Sequence, residues 1–240
     1  MLSAFAGKHG ITYPLLSDAD SAVIRRLGLL HEDVVAGVGI SSGPLRPDQV
    51  GMAYPGVFLL DEQGVVTSKR FFASFRQRET GVALLEQGFG VAATEFGAVA
   101  EGGSEGVRVR ASLDSDTYRP FQRLWLTLQV AVANELHIYG RPIPDGYTPL
   151  SVEVAPMEGL TVGEPEWPPP HPFRIDGLDE QFMVYEGAVA LALPITFGTR
   201  DAGDLTLHIT VRYQACSSTD CLMPASVALE LPVRAAALVT

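Results

Sequence analysis

The stretch that decides the fold is LTLHITVRYQACSSTDCLMPASVALELPV, residues 205–233. It begins and ends with runs in which apolar and polar residues alternate, and this pattern is typical of β-strands. The polar segment SSTD, residues 217–220, lies between the two runs and consists of residues that favour turns. The stretch therefore predicts a β-hairpin. The two cysteines of the 240-residue chain, Cys216 and Cys221, flank its turn.

The spacing of the two cysteines is compatible with a disulfide only if the chain reverses between them. An extended chain would hold residues five positions apart roughly 16–18 Å from each other, whereas a disulfide needs Cα atoms within about 7 Å. A loop of six residues would add only about 2 kcal/mol of stability, which is little for a domain with an ordinary core. The residues alone leave a redox pair, a structural staple and two free thiols open. A zinc site is the least supported alternative, and its further ligands would come from His208, His171 or His137.

The remainder of residues 107–240 also has β-type patterns. Alternating or continuous β runs occur at 107–113, 124–132, 151–157 and 189–197, separated by turns rich in proline, glycine and aspartate. About seven short strands in a segment of this length predict an all-β, immunoglobulin-like antiparallel sandwich. The acidic residues within 114–120 are interpreted as part of a solvated turn.

The first 90 residues have a different pattern, in which helical and strand segments alternate. A helix is predicted to begin at Asp18 as its N-cap residue, and 56–72 predicts a strand, a tight turn with positive φ at Gly64, and a second strand. A further helix is predicted over 76–88. These features indicate a partial α/β domain over 1–90. The Gly-, Ala- and Ser-rich segment 91–106 predicts a linker to the second domain.

Composition excludes several functions. The net charge of −11 argues against nucleic acid or an anionic membrane surface as a partner, because both require basic patches. No apolar stretch is long enough to span a bilayer. The chain contains no phosphate-binding or dinucleotide-binding motif, so we predict neither a cofactor nor a metal.

The segment 211–233 resembles the cysteine-bearing hairpin of the DsbD N-terminal domain family, a periplasmic immunoglobulin-like module. The resemblance rests on Tyr-Gln-x-Cys, a short polar loop and Cys-x-x-Pro, and it extends over roughly 107–236. It implies that Cys216 and Cys221 form a redox-active pair, and that Cys221 makes the mixed disulfide with a thioredoxin-like partner. An aromatic cap over the sulfurs is implied between 173 and 185. The cap and partner-contact candidates are Phe173, Phe182, Tyr185 and Tyr213.

Residues 1–90 resemble the C-terminal half of a redoxin of the AhpC/TSA or thioredoxin-like type. The matching hairpin motif, F-x-x-D-x-x-G-x-V, begins at Phe58. The resemblance implies a cis peptide bond at Tyr54–Pro55. A redoxin peroxidase needs a cysteine in its first half, but no cysteine precedes Cys216, so no peroxidase activity is expected from this chain. The missing half of the sheet would leave an apolar edge that a homo-oligomer could cover.

The leading hypothesis is a thiol–disulfide exchange module, an oxidoreductase that needs no cofactor. The alternatives are a partner-binding scaffold with a structural turn disulfide, and a fragment of a redoxin-type peroxidase that has lost its catalytic half. The first resemblance implies a periplasmic location, whereas a chain that truly starts at Met1 would stay in the cytoplasm, because no signal peptide is recognisable.

Overall fold

A computed structural model describes residues 2–40, 43–74, 77–90, 97–174, 181–198 and 203–236. The chain forms two compact units, Met1–Phe75 and Arg76–Thr240. This division lies earlier in the chain than the predicted end of the first domain at residue 90. No helix in the described part of the chain is long and apolar enough to cross a membrane.

The first unit contains short helices and one hairpin. Its elements are α1 (Leu2–His9), α2 (Ala22–Arg26), α3 (Glu32–Val35), a 3₁₀ turn (Pro47–Gln49), β1 (Gly56–Leu60) and β2 (Val66–Phe71). The two strands pair antiparallel, as predicted. Asp61 Oδ1 accepts hydrogen bonds from the amides of Gln63 and Val65 at 3.0 and 2.8 Å, and Gly64 has the predicted positive φ, 79°. Several apolar side chains of this unit are exposed, and their coverage by a second copy stays a prediction.

The start of α2 differs from the prediction. Ser21, not Asp18, occupies the N-cap position, and its side chain makes no capping bond. The Asp18 carboxylate nevertheless accepts hydrogen bonds from the amides of Val23 and Ile24 at 3.2 and 2.9 Å. The bond from Ile24 is the main reason that the pKa of Asp18 lies below its ordinary value. The Asp18 carboxylate therefore accepts hydrogen bonds from free amides at the start of α2, although Asp18 lies three residues before the N-cap residue.

The predicted cis bond at Tyr54–Pro55 is wrong. Among the described residues, the cis peptide bond is Arg141–Pro142. The Tyr54 amide donates to the carbonyl of Leu29, and the carbonyl of Pro55 accepts from the amide of Phe72, both at 2.9 Å. The Tyr54–Pro55 bond is trans, the form that most X-Pro bonds adopt.

The second unit is built from β-strands. They are β3 (Arg78–Glu79), β4 (Val99–Ser104), β5 (Val107–Leu113), β6 (Thr117–Tyr118), β7 (Gln122–Val132), β8 (His137–Tyr139), β9 (Ser151–Val154), β10 (Leu160–Val162), β11 (His171–Arg174), β12 (Gln181–Tyr185), β13 (Ala188–Phe197), β14 (Leu205–Tyr213), β15 (Ala215–Cys216) and β16 (Ala225–Ala235). A short helix, α4 (Gly81–Ala83), continues as a π-helical turn over Leu84–Gly88. The predicted helix over 76–88 is therefore confirmed only in its second half.

The strands form a sandwich of largely antiparallel sheets, and its immunoglobulin-like character stays a prediction. One sheet has the order β10-β13-β7-β5-β4, with β3 beside β7; a second has the order β6-β16-β14-β9; and a third has the order β11-β12-β8-β15. Inward-facing residues of β5, β7 and β13 form one core cluster with those of β14 and β16. The five β runs read from the sequence at 107–113, 124–132, 151–157, 189–197 and 205–215 all contain strands.

Part of the predicted linker is a strand. Residues 91–96 lie outside the described residues, but 99–104 form β4, which pairs with β5. The glycines that suggested a linker have a packing role instead. A Cβ atom at Gly102 would lie 2.7 Å from Cγ1 of Val227, and one at Gly103 would lie 2.4 Å from the carbonyl oxygen of Val107. Glycine permits this close approach of β4 to its neighbours.

Asp114 is buried, contrary to the solvated turn predicted for its segment. Its carboxylate accepts a hydrogen bond from the amide of Trp125 at 2.9 Å and a second from the hydroxyl of Thr80. Thr80 in turn accepts from the amide of Ala83 and caps α4. Burial raises the pKa of Asp114 to about 6. The carboxylate thus joins the segment around α4 to the sandwich.

Asp114→Asn should change how stability depends on pH. Because the pKa of Asp114 is about 6 when folded and 3.8 ordinarily, the folded chain holds a proton that the unfolded chain releases in this range. The free energy of unfolding should therefore fall as the pH rises from 4 to 7, by up to about 3 kcal/mol from this group. The Asn side chain is uncharged at every pH, like the protonated form of Asp114. The variant should therefore lack this pH-dependent part of the free energy of unfolding.

The measurement is urea unfolding of the wild type and the variant at pH 4 and pH 7. Asp116→Asn, the same change at a half-exposed carboxylate paired with Arg234, is the matched control and should not reproduce the pH-dependent difference expected for Asp114→Asn. An equal difference between Asp114→Asn and the wild type at both pH values would contradict the prediction.

Candidate functional site

The two cysteines form a disulfide at the end of the hairpin that residues 205–233 predict. β14 and β16 pair antiparallel from Leu205↔Val233 to Tyr213↔Ala225. Beyond Tyr213 the chain enters β15, which pairs with β8 in another sheet. Cys216 and Cys221 then face each other across an antiparallel bridge, with their Cα atoms 4.0 Å apart and their sulfurs bonded. The free-thiol alternative is therefore wrong.

Side-chain hydrogen bonds hold the base and the turn of this hairpin. At the base, Gln214 Oε1 accepts from the amide of Thr148 at 3.1 Å, and its Nε2 donates to the carbonyl of Leu222 at 3.2 Å. In the turn, Ser217 Oγ accepts from the amides of Thr219 and Asp220 at 3.1 and 2.9 Å. The predicted reversal over 217–220 is confirmed, and serine produces it as its turn chemistry suggests.

The two cysteine residues differ in their exposure. Cys216 is fully buried, whereas Cys221 is exposed and lies two residues before Met223, whose exposed fraction is 85%. The hydroxyl of Tyr139 donates a hydrogen bond to Cys221 Sγ at 3.5 Å. A reactant from solvent can therefore approach the disulfide at Cys221, while Cys216 is shielded.

An aromatic cluster covers the buried side of the disulfide. Cys216 belongs to a core cluster with Tyr139, Phe182 and Val184, against which Phe173 and Tyr147 pack. The ring centroid of Tyr139 lies 5.0 Å from that of Tyr147 and 5.5 Å from that of Phe182. Burial raises the pKa of Tyr139 to about 12. Its hydroxyl therefore stays protonated and remains a hydrogen-bond donor to sulfur at neutral pH.

His137 is also buried at this site, with 2% of its surface exposed. Strand pairing places it directly opposite Cys216. Its ring lies 4.3 Å from that of Phe173 and 5.6 Å from that of Tyr139, measured between centroids. Its Nε2 atom has no hydrogen-bond partner among the described residues. Burial is the main reason that the pKa of His137 lies below its ordinary value.

The predicted cap and contact residues occupy two environments. Phe182 and Phe173 lie in the cluster around Cys216, and their role as a cap stays a prediction. Tyr185 and Tyr213 lie instead in the main core, where their hydroxyls bond to the carbonyl of Pro168 at 3.0 Å and to Ser104 Oγ at 2.7 Å. Tyr213 is 1% exposed, so the structure does not present it as a partner contact. The middle of the predicted cap, 175–180, lies outside the described residues.

Sequence patterns did not single out Tyr139, and they indicated His137 only as a possible zinc ligand. Both lie on β8, two positions apart, so that they project from the same face of the strand. That alternation was visible in the sequence, but its significance depends on the pairing of β8 with β15. Within the described ranges, no three metal-ligating side chains come together. Both sulfurs are committed to the disulfide.

Comparison with protein families gives two matches. The N-terminal family of the thiol:disulfide interchange protein DsbD matches residues 110–232, just over half of the chain. The AhpC/TSA family matches residues 1–69. A search of curated proteins gives no significant match.

Several solved structures resemble part of this chain. The N-terminal periplasmic domain of ScsB from Proteus mirabilis is 17% identical, with a TM-score of 0.43, over 56% of this chain and 51% of its own length. The match thus spans about half of that domain. The reduced DsbD N-terminal domain of Neisseria meningitidis is 13% identical, with a TM-score of 0.32, over 61% of this chain and 86% of its own. A structure of the complex between the DsbD and PilB N-terminal domains from Neisseria meningitidis gives 14% identity and a TM-score of 0.33. The match covers 44% of this chain and 73% of the chain in that structure.

Proposed function

The chain belongs to the family of the N-terminal domain of the thiol:disulfide interchange protein DsbD, and we propose that it is a thiol–disulfide exchange module. The Cys216–Cys221 pair passes electrons to or from a thioredoxin-like partner by way of a mixed disulfide. The observation that supports this function most directly is the contrast between the two sulfurs, with Cys221 exposed and Cys216 buried. Exchange requires one sulfur that the partner can reach.

The exchange has two steps in each direction. During reduction of this chain, a thiolate of the partner attacks Cys221 Sγ. The intramolecular S–S bond breaks, and Cys216 leaves with the electron pair as a thiolate. The second cysteine of the partner then attacks the mixed disulfide and releases Cys221 as a thiolate. During oxidation of this chain, Cys221 attacks the partner disulfide, and Cys216 then displaces the partner.

The aromatic cluster favours attack at Cys221. Phe182 and Tyr139 are fully buried and pack in the cluster that contains Cys216. A thiolate that attacked Cys216 would have to displace these side chains, whereas attack at Cys221 displaces none of them. In the second step, when Cys221 leaves the mixed disulfide as a thiolate, the hydrogen bond from Tyr139 to Cys221 Sγ stabilises the negative charge on this sulfur.

The periplasm, or another extracytoplasmic compartment, is the location consistent with this function. The DsbD N-terminal family is periplasmic, and a disulfide with one exposed sulfur persists best where the surroundings are oxidising. The redoxin-like residues 1–69 contain no cysteine, and the two cysteines of the chain that could carry out thiol–disulfide exchange are Cys216 and Cys221.

A redox titration distinguishes exchange from a purely structural disulfide. We expect the equilibrium potential of the Cys216–Cys221 couple to lie between about −120 and −270 mV, the range of thioredoxin-like oxidoreductases. The full chain is equilibrated with glutathione or dithiothreitol buffers of known potential, and its oxidised fraction is read by mass after alkylation. A potential below about −300 mV, as for structural disulfides, would contradict the proposed function and favour the staple.

A further inference from the structure

The Nε2 atom of His137 is an unusual feature of the site, because it is buried without a hydrogen-bond partner among the described residues. Buried polar atoms in folded proteins nearly always have hydrogen-bond partners, and leaving one unpaired costs free energy. The Nε2 atom of His137 lies in a side chain that is 2% exposed and has no partner within the described part of the chain. In the tautomer that carries its hydrogen on Nδ1, this nitrogen can accept a proton from a donor that forms beside it.

The strand pairing identifies that donor. His137 in β8 is the Cα partner of Cys216 in β15. Side chains of directly opposed residues project from the same face, with Cβ atoms about 4.5–5.5 Å apart. In the disulfide form Cys216 has no proton, but reduction creates a thiol there, facing the imidazole. Tyr139, the other polar group of β8 on this face, bonds to Cys221 instead.

From this arrangement, and resting on the proposed function, we infer that His137 accepts the proton of the Cys216 thiol when Cys216 closes the disulfide. The Cys216 proton moves to the imidazole, and the sulfur electron pair forms the bond to Cys221. The sulfur of the partner leaves the mixed disulfide as a thiolate with the electrons of the broken bond.

The surroundings favour the form of His137 that this role requires. Burial has the largest effect on the pKa of His137 and lowers it, while two neighbouring groups have smaller effects: Glu186 after β12 raises the pKa and His171 on β11 lowers it. Tyr139 remains a neutral phenol, and Phe173 contributes an apolar ring. Because the pKa of His137 lies below its ordinary value, the imidazole is unprotonated at pH 7 and above and is free to accept a proton. The Cys216 thiol is buried, which opposes ionisation without a base.

The test follows the closure step by itself. The reduced full-length chain is mixed with oxidised glutathione, quenched with acid at increasing times, and analysed by mass. The glutathione adduct forms when Cys221 attacks and disappears when Cys216 closes the disulfide. We expect His137→Gln to slow the disappearance about a hundredfold, within the usual range for general-base catalysis. Formation of the adduct should be unchanged.

The pH dependence separates proton transfer from simple positioning. In the wild type, the closure rate constant should be nearly level between about pH 7 and 8.5, since the base is already neutral there. In His137→Gln it should rise about tenfold per pH unit, because closure then requires prior ionisation of the thiol. His208→Gln, which alters an exposed histidine paired with Glu230, is the control and should behave like the wild type.

Two results would overturn the inference. One is a wild-type closure rate that itself rises tenfold per pH unit, a result that does not depend on whether the variant folds. The other is a folded His137→Gln variant, verified by urea unfolding, whose closure rate and pH profile match those of the wild type. A failure of the proposed function would be seen in a different experiment, the redox titration, as a potential below about −300 mV. The rate of closure with glutathione can be measured whatever the potential of the couple is.

Discussion

Cys221→Ser should abolish mixed-disulfide formation with a thioredoxin-like partner, whereas Cys216→Ser should accumulate the mixed disulfide. In the first variant the remaining thiol, Cys216, is fully buried beneath the aromatic cluster. In the second, Cys221 is still exposed and can attack, but no second sulfur remains to displace the partner. The two variants carry the same substitution five positions apart and are controls for each other.

The measurement uses a thioredoxin-like domain that retains only its exposed cysteine, activated as a mixed disulfide with thionitrobenzoate. Attack by this chain releases the coloured thionitrobenzoate anion and leaves the two proteins linked. Cys216→Ser should release one equivalent and give a covalent complex on a non-reducing gel. Cys221→Ser should give neither. Equal reaction of both variants, or reaction through Cys216 alone, would show that the contrast in burial does not direct the exchange.

Local sequence patterns predicted the hairpin and most of the sandwich. Alternation of apolar and polar residues located the strands, and the composition of 217–220 located the turn, because both are set by near neighbours in the chain. The positive φ of Gly64 could be predicted for the same reason, since the tight turn needs a conformation that glycine adopts without strain. Local composition was a less reliable guide to structure over 91–106. Glycines that permit close packing of a strand cannot be distinguished by composition from glycines of a flexible linker.

The environment of the disulfide could not be predicted in the same way. β8, β12 and β15 come together from separate parts of the chain, and the passage of the chain from β14 to β15 places Cys216 in a different sheet from Tyr213. Long-range pairing of this kind decides that Cys216 is buried, that Tyr139 bonds to Cys221, and that His137 faces Cys216. Asp114 is a similar case, because its burial depends on Thr80, 34 residues earlier in the chain.

Phe182→Ala should both destabilise the second unit and expose the buried sulfur. Phe182 is fully buried, and its ring contacts Tyr139 and Tyr147 at centroid distances of 5.5 and 5.1 Å. Removing a buried phenylalanine ring typically costs about 3–5 kcal/mol of unfolding free energy, part of which reflects the cavity left behind. The cavity lies in the cluster that contains Cys216, so small thiols should also reach that sulfur.

The matched control for Phe182→Ala is Phe197→Ala. Phe197 is equally buried, but it packs against Tyr118 in the main core cluster. Urea unfolding should show a similar loss of about 3–5 kcal/mol for the two variants. The rate of reduction by dithiothreitol, measured under conditions where both variants remain folded, should rise in Phe182→Ala and stay at the wild-type value in Phe197→Ala. An equal rise in both would mean that reduction follows general loosening of the sandwich, and that Phe182 does not specifically shield the disulfide.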